Sequence, residues 1–312
     1  MSLLEIQDLK VHYPIRGGFF NRVIDHVHAV DGVNMVIEEG KTYGLIGESG
    51  SGKTTIGKVI VGLEKATGGK VLYNGHNILD RRTRKKIKYN EDVQMIFQDS
   101  MSSLDPKKRV LDIIAEPIRN FENLNKEEEL ERVKELLDIV GMPQDSIHKY
   151  PFEFSGGQRQ RIGVARAIAC RPKLVVCDEP VSALDLSVQA QVLNYLKAIQ
   201  EEYGLTYIFI SHDLGVVKHM CDYIYIMHRG RFTEVGTRED IYNEPHHIYT
   251  KRLIASIPQL DPLRKDEFRA RREEIDRLFE EEYSNYYDEN DRVYALSKIS
   301  DTHYAAEKKG GN

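Results

Sequence analysis

Apolar residues in this chain come in short runs, and the spacing of those runs changes twice along its length. Through the first 60 residues, strand-length apolar stretches alternate with turn residues and then meet Tyr43-Gly-Leu-Ile-Gly-Glu-Ser-Gly-Ser-Gly-Lys-Thr-Thr55, which leads into the helix-periodic positions Ile56, Val59, Ile60 and Leu63. That order predicts strand, glycine loop, helix. A β-rich patch from Gly69 to Tyr73 follows, then the basic run Asp80-Arg-Arg-Thr-Arg-Lys-Lys-Ile-Lys88, which reads as a solvated helix face, and then the strand-like Val93-Gln-Met-Ile-Phe97. From Gln98 to about Arg166 the period becomes helical: Asn125 and Glu128 have capping-box spacing, Leu130, Val133, Leu137 and Val140 line one side, and Gly141 is the stop. The strand rhythm returns with Lys173-Leu-Val-Val-Cys-Asp178, a helix near Val188 to Glu202, the strand Thr206 to Ser211 and a strand-rich stretch from Tyr223 to Gly236. Alternating strands and helices predict an α/β fold with a mainly parallel sheet, interrupted by a mostly helical insertion.

Composition narrows the class. With 312 residues of which 41% are hydrophobic, the chain can bury a sizeable core, which excludes wholesale disorder. Its densest apolar runs, Leu174 to Cys177 and Tyr207 to Ile210, fall far short of the roughly 20 residues of a membrane-spanning helix. A net charge of -5 argues against a broad nucleic-acid-binding field. Three scattered cysteines (Cys170, Cys177, Cys221) suit reduced thiols rather than a disulfide framework, and no secretory pattern is seen at Met1-Ser-Leu-Leu-Glu-Ile, so a cytoplasmic protein is expected. After Pro258 the composition shifts: 24 of the last 55 residues are charged against 30% overall, with apolar positions at Phe268, Ile275, Leu278, Phe279 and Tyr283. One amphipathic helix and then a loosely ordered end are predicted there.

Candidate chemistry begins at Gly47-Glu-Ser-Gly-Ser-Gly-Lys-Thr54, which has the spacing of a phosphate-binding loop in the required strand-to-helix setting. Glycines let backbone N–H groups curl around phosphates, Lys53 reaches the β- and γ-phosphates, Thr54 can ligate Mg²⁺, and the helix N-terminus adds a favourable dipole. Gly47, Glu48, Ser49, Gly50, Ser51, Gly52, Lys53, Thr54 and Thr55 are therefore candidate ATP contacts. Lys173-Leu-Val-Val-Cys-Asp-Glu179 reads as the strand that sets an acid beside this loop, with Asp178 holding Mg²⁺ and Glu179 polarising the attacking water as general base.

With Phe154-Ser-Gly-Gly-Gln-Arg-Gln-Arg161 added, the chain resembles the ATPase subunits of ABC transporters. The resemblance implies a phosphate-loop NTPase core of RecA-like type with an antiparallel β subdomain and an inserted α-helical subdomain, plus a C-terminal extension. Residues 1–257 would form the ATPase domain, with the helical subdomain at about 98–166, and 258–312 a charged, partly helical extension. Ser155, Gly156, Gly157 and Gln158 match the family signature that faces the γ-phosphate across a dimer, although Phe154 stands where the family has Leu. By the same resemblance Gln98 would sense Mg²⁺ and the γ-phosphate, Ser182-Ala-Leu-Asp185 would carry Asp185 across the dimer interface, His212 would contact the γ-phosphate and position the water, and Tyr13 would stack on adenine.

Residues 1 to about 260 resemble one subfamily in particular, the ATPase subunits of oligopeptide/dipeptide importers. The landmarks are Ala29-Val-Asp-Gly32, Gln98-Asp-Ser-Met-Ser-Ser-Leu-Asp-Pro106, Glu244-Pro-His-His-Ile-Tyr-Thr-Lys251 and Ser256-Ile-Pro258. The insert Gly17-Gly-Phe-Phe-Asn21 favours the OppF-like branch. This implies ATP and Mg²⁺ as cofactors, an OppD-like ATPase as heterodimer partner, two transmembrane permeases, an extracellular peptide-binding protein as indirect partner, no nucleic acid, and a peripheral position on the cytoplasmic face of the membrane. Asp99 to Pro106 would help form the groove for a permease helix. Relatives carrying an iron–sulfur centre do so on a C-terminal cysteine cluster; this chain has no cysteine after Cys221, so no iron–sulfur cluster is expected. Dipeptide, nickel or another small solute remains open as cargo, as does a soluble ABC ATPase acting on DNA or ribosomes. The charged tail is either a solvated or packing extension or a contact with the paired ATPase.

Overall fold

Strands form in this chain where β-branched and aromatic residues sit between glycine, asparagine and aspartate turns. They are β1 Ser2–Gly17, β2 Arg22–Glu38, β3 Thr42–Ile46, β4 Gly68–Tyr73, β5 His76–Asn77, β6 Val93–Ile96, β7 Leu174–Asp178, β8 Thr206–Ser211, β9 Tyr223–His228, β10 Arg231–Thr237, β11 Leu296–Lys298 and β12 Tyr304–Ala306. The computed structural model describes residues 2–18, 20–99, 103–257 and 265–307. Parts of three predicted features, the insert at Phe19, the stretch at 100–102 and the start of the extension at 258–264, lie outside the described residues, as does 308–312.

The chain folds as two units, the first made of Met1–Leu3, Glu38–Lys41 and Asp80–Phe209. Here β6 and β7 run parallel, with Val93 opposite Leu174 and Ile96 opposite Cys177, in the spatial order β8-β7-β6. Every residue of β7 and β8 is buried, the pattern of strands covered on both faces. The predicted helical stretch contains the helices Val110–Phe121, Lys126–Ile139 and Gly156–Ile168. At the second of these the capping box forms: Asn125 Oδ1 accepts from the amides of Glu127 and Glu128 while Glu128 Oε2 accepts from the Asn125 amide. The same helix stops where Gly141 takes φ +65°, and a Cβ there would lie 2.2 Å from the Tyr195 hydroxyl. The basic run forms the helix Arg81–Lys86 with no buried residue, as its charge predicts.

The second unit comprises Leu4–Ile37, Thr42–Leu79 and Ile210–Asn312. One sheet has the order β2-β1-β4-β5, with β1 and β5 both antiparallel to β4. In the other, β3 lies parallel to β9, with Tyr43 opposite Tyr223, and β10, β12 and β11 continue outward by antiparallel pairing. The helix predicted after Pro258 is present as Lys265–Tyr286. Its sequel corrects the expectation of a loosely ordered end. β12 pairs with β10 through Glu234 opposite Ala305 and Val235 opposite Tyr304, and His303, Ala305 and Ala306 are buried. Strands of three residues are too short for a readable alternation, and the partner of β12 lies about 70 residues away in sequence.

Two histidines of this unit, His247 buried and His228 half-buried, are held as neutral rings. His247 Nδ1 accepts from the Tyr249 amide at 3.1 Å, capping the helix Ile248–Ala255. Burial first, then the neighbouring His228 and Lys251, pushes its pKa down from 6.5 to about 3. Burial and the charges of Arg229 and Arg252 lower His228 to about 4. In both cases the unfolded chain binds a proton that the folded chain refuses, so stability is full above pH 6.5 and is lost as pH falls toward 4. At pH 5 the loss from His247 alone amounts to about 2 kcal/mol. The thermal midpoint of the full chain is expected to fall by several degrees between pH 7 and pH 5, and less in His247→Asn, which keeps a capping acceptor without the titration; equal slopes in the two proteins would contradict this.

Candidate active site

The loop between β3 and the helix Lys53–Ile60 is shaped by three glycines, two of which leave no room for a side chain. Gly47, Gly50 and Gly52 have φ of +157°, +81° and +109°. A Cβ on Gly47 would lie 2.0 Å from the Met227 carbonyl oxygen, and one on Gly52 would lie 2.1 Å from that of Ala29. The Lys53 side chain turns back into the loop and is only 4% exposed. Its ammonium donates to the carbonyls of Gly47 and Glu48, both at 2.8 Å, and to Ser51 Oγ at 3.3 Å. Glu48, Ser49 and Gly50 form the exposed rim, and Thr54 and Thr55, half-buried, begin the helix. The loop thus brings a helix start and a fixed cation to one small volume, a cradle for phosphate.

Tyr13 of β1 belongs to the same unit and reaches the start of that helix. Burial first, then the neighbouring Glu64, raises the pKa of its hydroxyl. Tyr13 is 38% exposed, and an exposed aromatic side chain offers a surface on which a planar ligand can rest. His212, exposed, follows β8 between two anchored neighbours. Ser211 Oγ accepts from the Asp213 amide at 3.0 Å, and Asp213 Oδ1 caps the helix Leu214–Met220 by accepting from Gly215 at 2.7 Å. The turn is therefore fixed while the imidazole projects.

The remaining predicted residues sit in the first unit. β7 delivers Asp178, buried, and then Glu179, half-buried, whose backbone takes φ +45°. A left-handed conformation in a residue with a side chain costs on the order of 1 kcal/mol and is seen at sites where direction matters. Gln98 Nε2 donates to Glu179 Oε2 at 2.9 Å. The structure thus joins two residues that the sequence placed 81 positions apart, and it leaves the Gln98 carbonyl oxygen on the other side of the amide. A carboxylate and a carboxamide oxygen are both hard oxygen donors, the chemistry that suits Mg²⁺.

Ser155 caps the helix Gly156–Ile168: its Oγ accepts from the Gln158 amide at 3.3 Å, and Gln158 Oε1 accepts from the Ser155 amide at 2.9 Å. Because the hydroxyl oxygen is the acceptor, its hydrogen remains available to a ligand. A Cβ on Gly157 would meet Val188 Cγ1 at 2.5 Å, and one on Gly156 would approach Leu184 Cδ2 at 3.8 Å, so the stretch carrying Asp185 packs on the signature. Asp185 is exposed at the start of the helix Leu186–Tyr203. Phe154, 7% exposed, is a packing residue, which explains why Phe can stand there in place of Leu. Sequence reasoning missed Tyr249, whose hydroxyl accepts from the Glu48 amide at 3.0 Å across 201 positions; only its place in the Glu244 to Lys251 landmark singled it out.

Comparison with known proteins identifies the family. Residues 30–182 match the family model described as ABC transporter, and residues 233–281 match the oligopeptide/dipeptide transporter C-terminal region. The chain is 58% identical over 310 residues to the oligopeptide transport ATP-binding protein OppF of Lactococcus lactis subsp. lactis (strain IL1403), covering 99% of this chain and 97% of that one. It is 48% identical over 263 residues to OppF of Salmonella typhimurium, covering 83% and 79%. A solved dimeric structure of a post-hydrolysis state of the ATP-binding cassette MJ0796, bound to ADP and Pi, superposes with a TM-score of 0.67 at 26% identity, covering 75% of this chain and 98% of that one. By these matches the chain belongs to the ABC transporter ATP-binding proteins, in the oligopeptide transport branch.

Proposed function

We propose that this chain binds and hydrolyses ATP to power the import of oligopeptides through an ABC transporter. The observation that carries the reading is the Gly47–Thr54 loop, in which positive-φ glycines and a buried lysine ammonium form a phosphate cradle at a helix start. In this reading residues 1–257 are the ATPase domain, with a helical subdomain at about 98–166, and 258–312 are an extension. Two permeases carry the membrane spans; among the described residues of this chain no helix is long and apolar enough to cross a membrane. An OppD-like ATPase is the dimer partner on the cytoplasmic face, and an extracellular peptide-binding protein supplies the cargo.

Each residue then has a task. The adenine rests on Tyr13, and the loop amides from Gly47 to Thr55 with the Lys53 ammonium hold the β- and γ-phosphates. Thr54, Gln98 and Asp178 would hold Mg²⁺, which when bound neutralises charge on the phosphate oxygens. Glu179 accepts a proton from water as the water oxygen bonds to the γ-phosphorus; the bond to the β–γ bridging oxygen breaks and its electrons stay on ADP. Gln98, donating to Glu179, aims that carboxylate. His212 steadies the water and the γ-phosphate. The Ser155 hydroxyl with the Gly156, Gly157 and Gln158 amides serves the γ-phosphate bound by the dimer partner, and Asp185 lines the same interface.

Glu179→Gln, with the matching change in the partner, is expected to retain ATP binding while steady-state hydrolysis in the assembled transporter falls by about 10²-fold or more, the scale of a lost general base. Hydrolysis at the normal rate would sink that assignment. Gly52→Ala drives a methyl into the Ala29 carbonyl and is expected to abolish ATP binding in titration calorimetry; a wild-type Kd would count against the loop as the phosphate cradle.

A further inference from the structure

The helix Lys265–Tyr286 places Phe279, Tyr283 and Tyr286 at helical spacing on one face, and Tyr287 follows directly. These rings lead to the phosphate loop through an unbroken series of contacts. Tyr283 and Tyr287 stack in parallel, with centroids 4.1 Å apart and 5° between planes. The Tyr287 hydroxyl lies 2.8 Å from His228 Nδ1. The His228 ring stacks on Tyr249 at 4.2 Å, and Phe279 leans on the same tyrosine at 6.2 Å. The Tyr249 hydroxyl accepts from the Glu48 amide at 3.0 Å. Arg229 over Tyr283 and Arg252 over Phe279 close the cluster from outside.

The contact at Glu48 matters because of peptide geometry. In a trans peptide the N–H and the C=O point in opposite directions. The Glu48 N–H and the Gly47 C=O belong to one peptide plane: the first is bonded to Tyr249 and the second to the Lys53 ammonium at 2.8 Å. Fixing one end fixes the other. His228 also follows Met227, whose carbonyl fills the space that a Gly47 side chain would need.

We propose that the C-terminal segment braces the phosphate loop, with Tyr249 the positioning residue that sets the Gly47–Glu48 peptide plane and Tyr287 holding Tyr249 in place through His228. The brace gives the charged extension a task in nucleotide affinity within its own chain, and it rests on the loop being the ATP site. Tyr249→Phe removes the acceptor for Glu48 but keeps the stack; Tyr287→Phe removes the contact to His228 but keeps the stack on Tyr283.

The test is a double-substitution cycle in the full chain, with the ATP Kd from titration calorimetry, the KM and kcat of the assembled transporter, and the thermal midpoint of every variant. Tyr249→Phe is expected to raise Kd and KM roughly fivefold, the scale of one hydrogen bond, with kcat within about twofold. Tyr287→Phe is expected to raise them by about two- to threefold. The double variant is expected to match Tyr249→Phe alone, because one residue acts through the other. Unchanged Kd in Tyr249→Phe, a lowered thermal midpoint with unchanged Kd, or effects that multiply independently would each overturn the brace. If Tyr249→Phe does not fold, the Kd of Tyr287→Phe decides: raised at an unchanged midpoint it supports the brace, and unchanged it refutes it. Lys53→Ala separates the two levels of inference. Its normal ATP binding would refute the ATP site itself, whereas lost binding there beside wild-type tyrosine variants refutes the brace alone.

Discussion

A lysine ammonium taken out of water must be surrounded by oxygen, and that demand organises the phosphate loop of this chain. Lys53 meets it with two carbonyls and a hydroxyl from within seven residues of itself. Backbone carbonyls can turn inward so tightly only where the chain reverses at positive φ, hence glycine at 47, 50 and 52. Two of these reversals bring the backbone against a neighbour. The Met227 carbonyl lies at Gly47 and the Ala29 carbonyl at Gly52, and these neighbours must themselves be held. Asp31, two residues after Ala29, accepts from Arg231 at 2.7 and 3.1 Å, and its amide donates to the Gly230 carbonyl at 2.9 Å. Burial alone would raise the Asp31 carboxyl, but Arg231, with His12, outweighs it and holds the group ionised.

The acids obey a different constraint. Asp178 ends a strand that is buried throughout, so its carboxylate sits where the sheet fixes it. Glu179 has to leave that line, and its left-handed backbone is the means of doing so. Ser182 Oγ donates to the Glu179 carbonyl at 3.2 Å, and the Ser182 amide donates to the same oxygen at 3.3 Å, tying down the strained residue. Strain of this kind persists only where the surroundings over-determine it. Gln98 completes the arrangement by directing the carboxylate itself.

What could be read from the sequence divides along the distance over which each interaction acts. The capping box at Asn125 with Glu128 closes within three residues, so its spacing announced it, and it forms. The phosphate loop is legible for the same reason, since Lys53 is satisfied by its own loop. The contact between Gln98 and Glu179 and that between Tyr249 and Glu48 leave no local trace, because Gln, Tyr and the amide partner are ordinary at their positions until the fold joins them. Only the end of the extension was misread: the amphipathic helix was legible from Phe268, Ile275, Leu278, Phe279 and Tyr283, whereas the short strand β12 after it pairs with β10, far away in sequence.

The end of the chain shows how few residues such a segment needs to become part of a unit. Glu234 on β10 is fully buried, and its carboxylate accepts from the His246 and His247 amides at 2.8 and 2.9 Å. A further partner comes from the extension: His303 Nε2 lies 2.7 Å from Glu234 Oε1. Around it, Arg231 donates to the Val293 carbonyl at 3.0 Å and Tyr223 to that of Thr302 at 2.8 Å. Removing one partner of a buried carboxylate leaves it under-satisfied, which costs far more than the pairing itself contributes. β10 therefore carries a group whose burial depends on residues 70 positions downstream. Composition marked these residues as an appendage, but the buried Glu234 makes them a structural part of the unit that bears the phosphate loop.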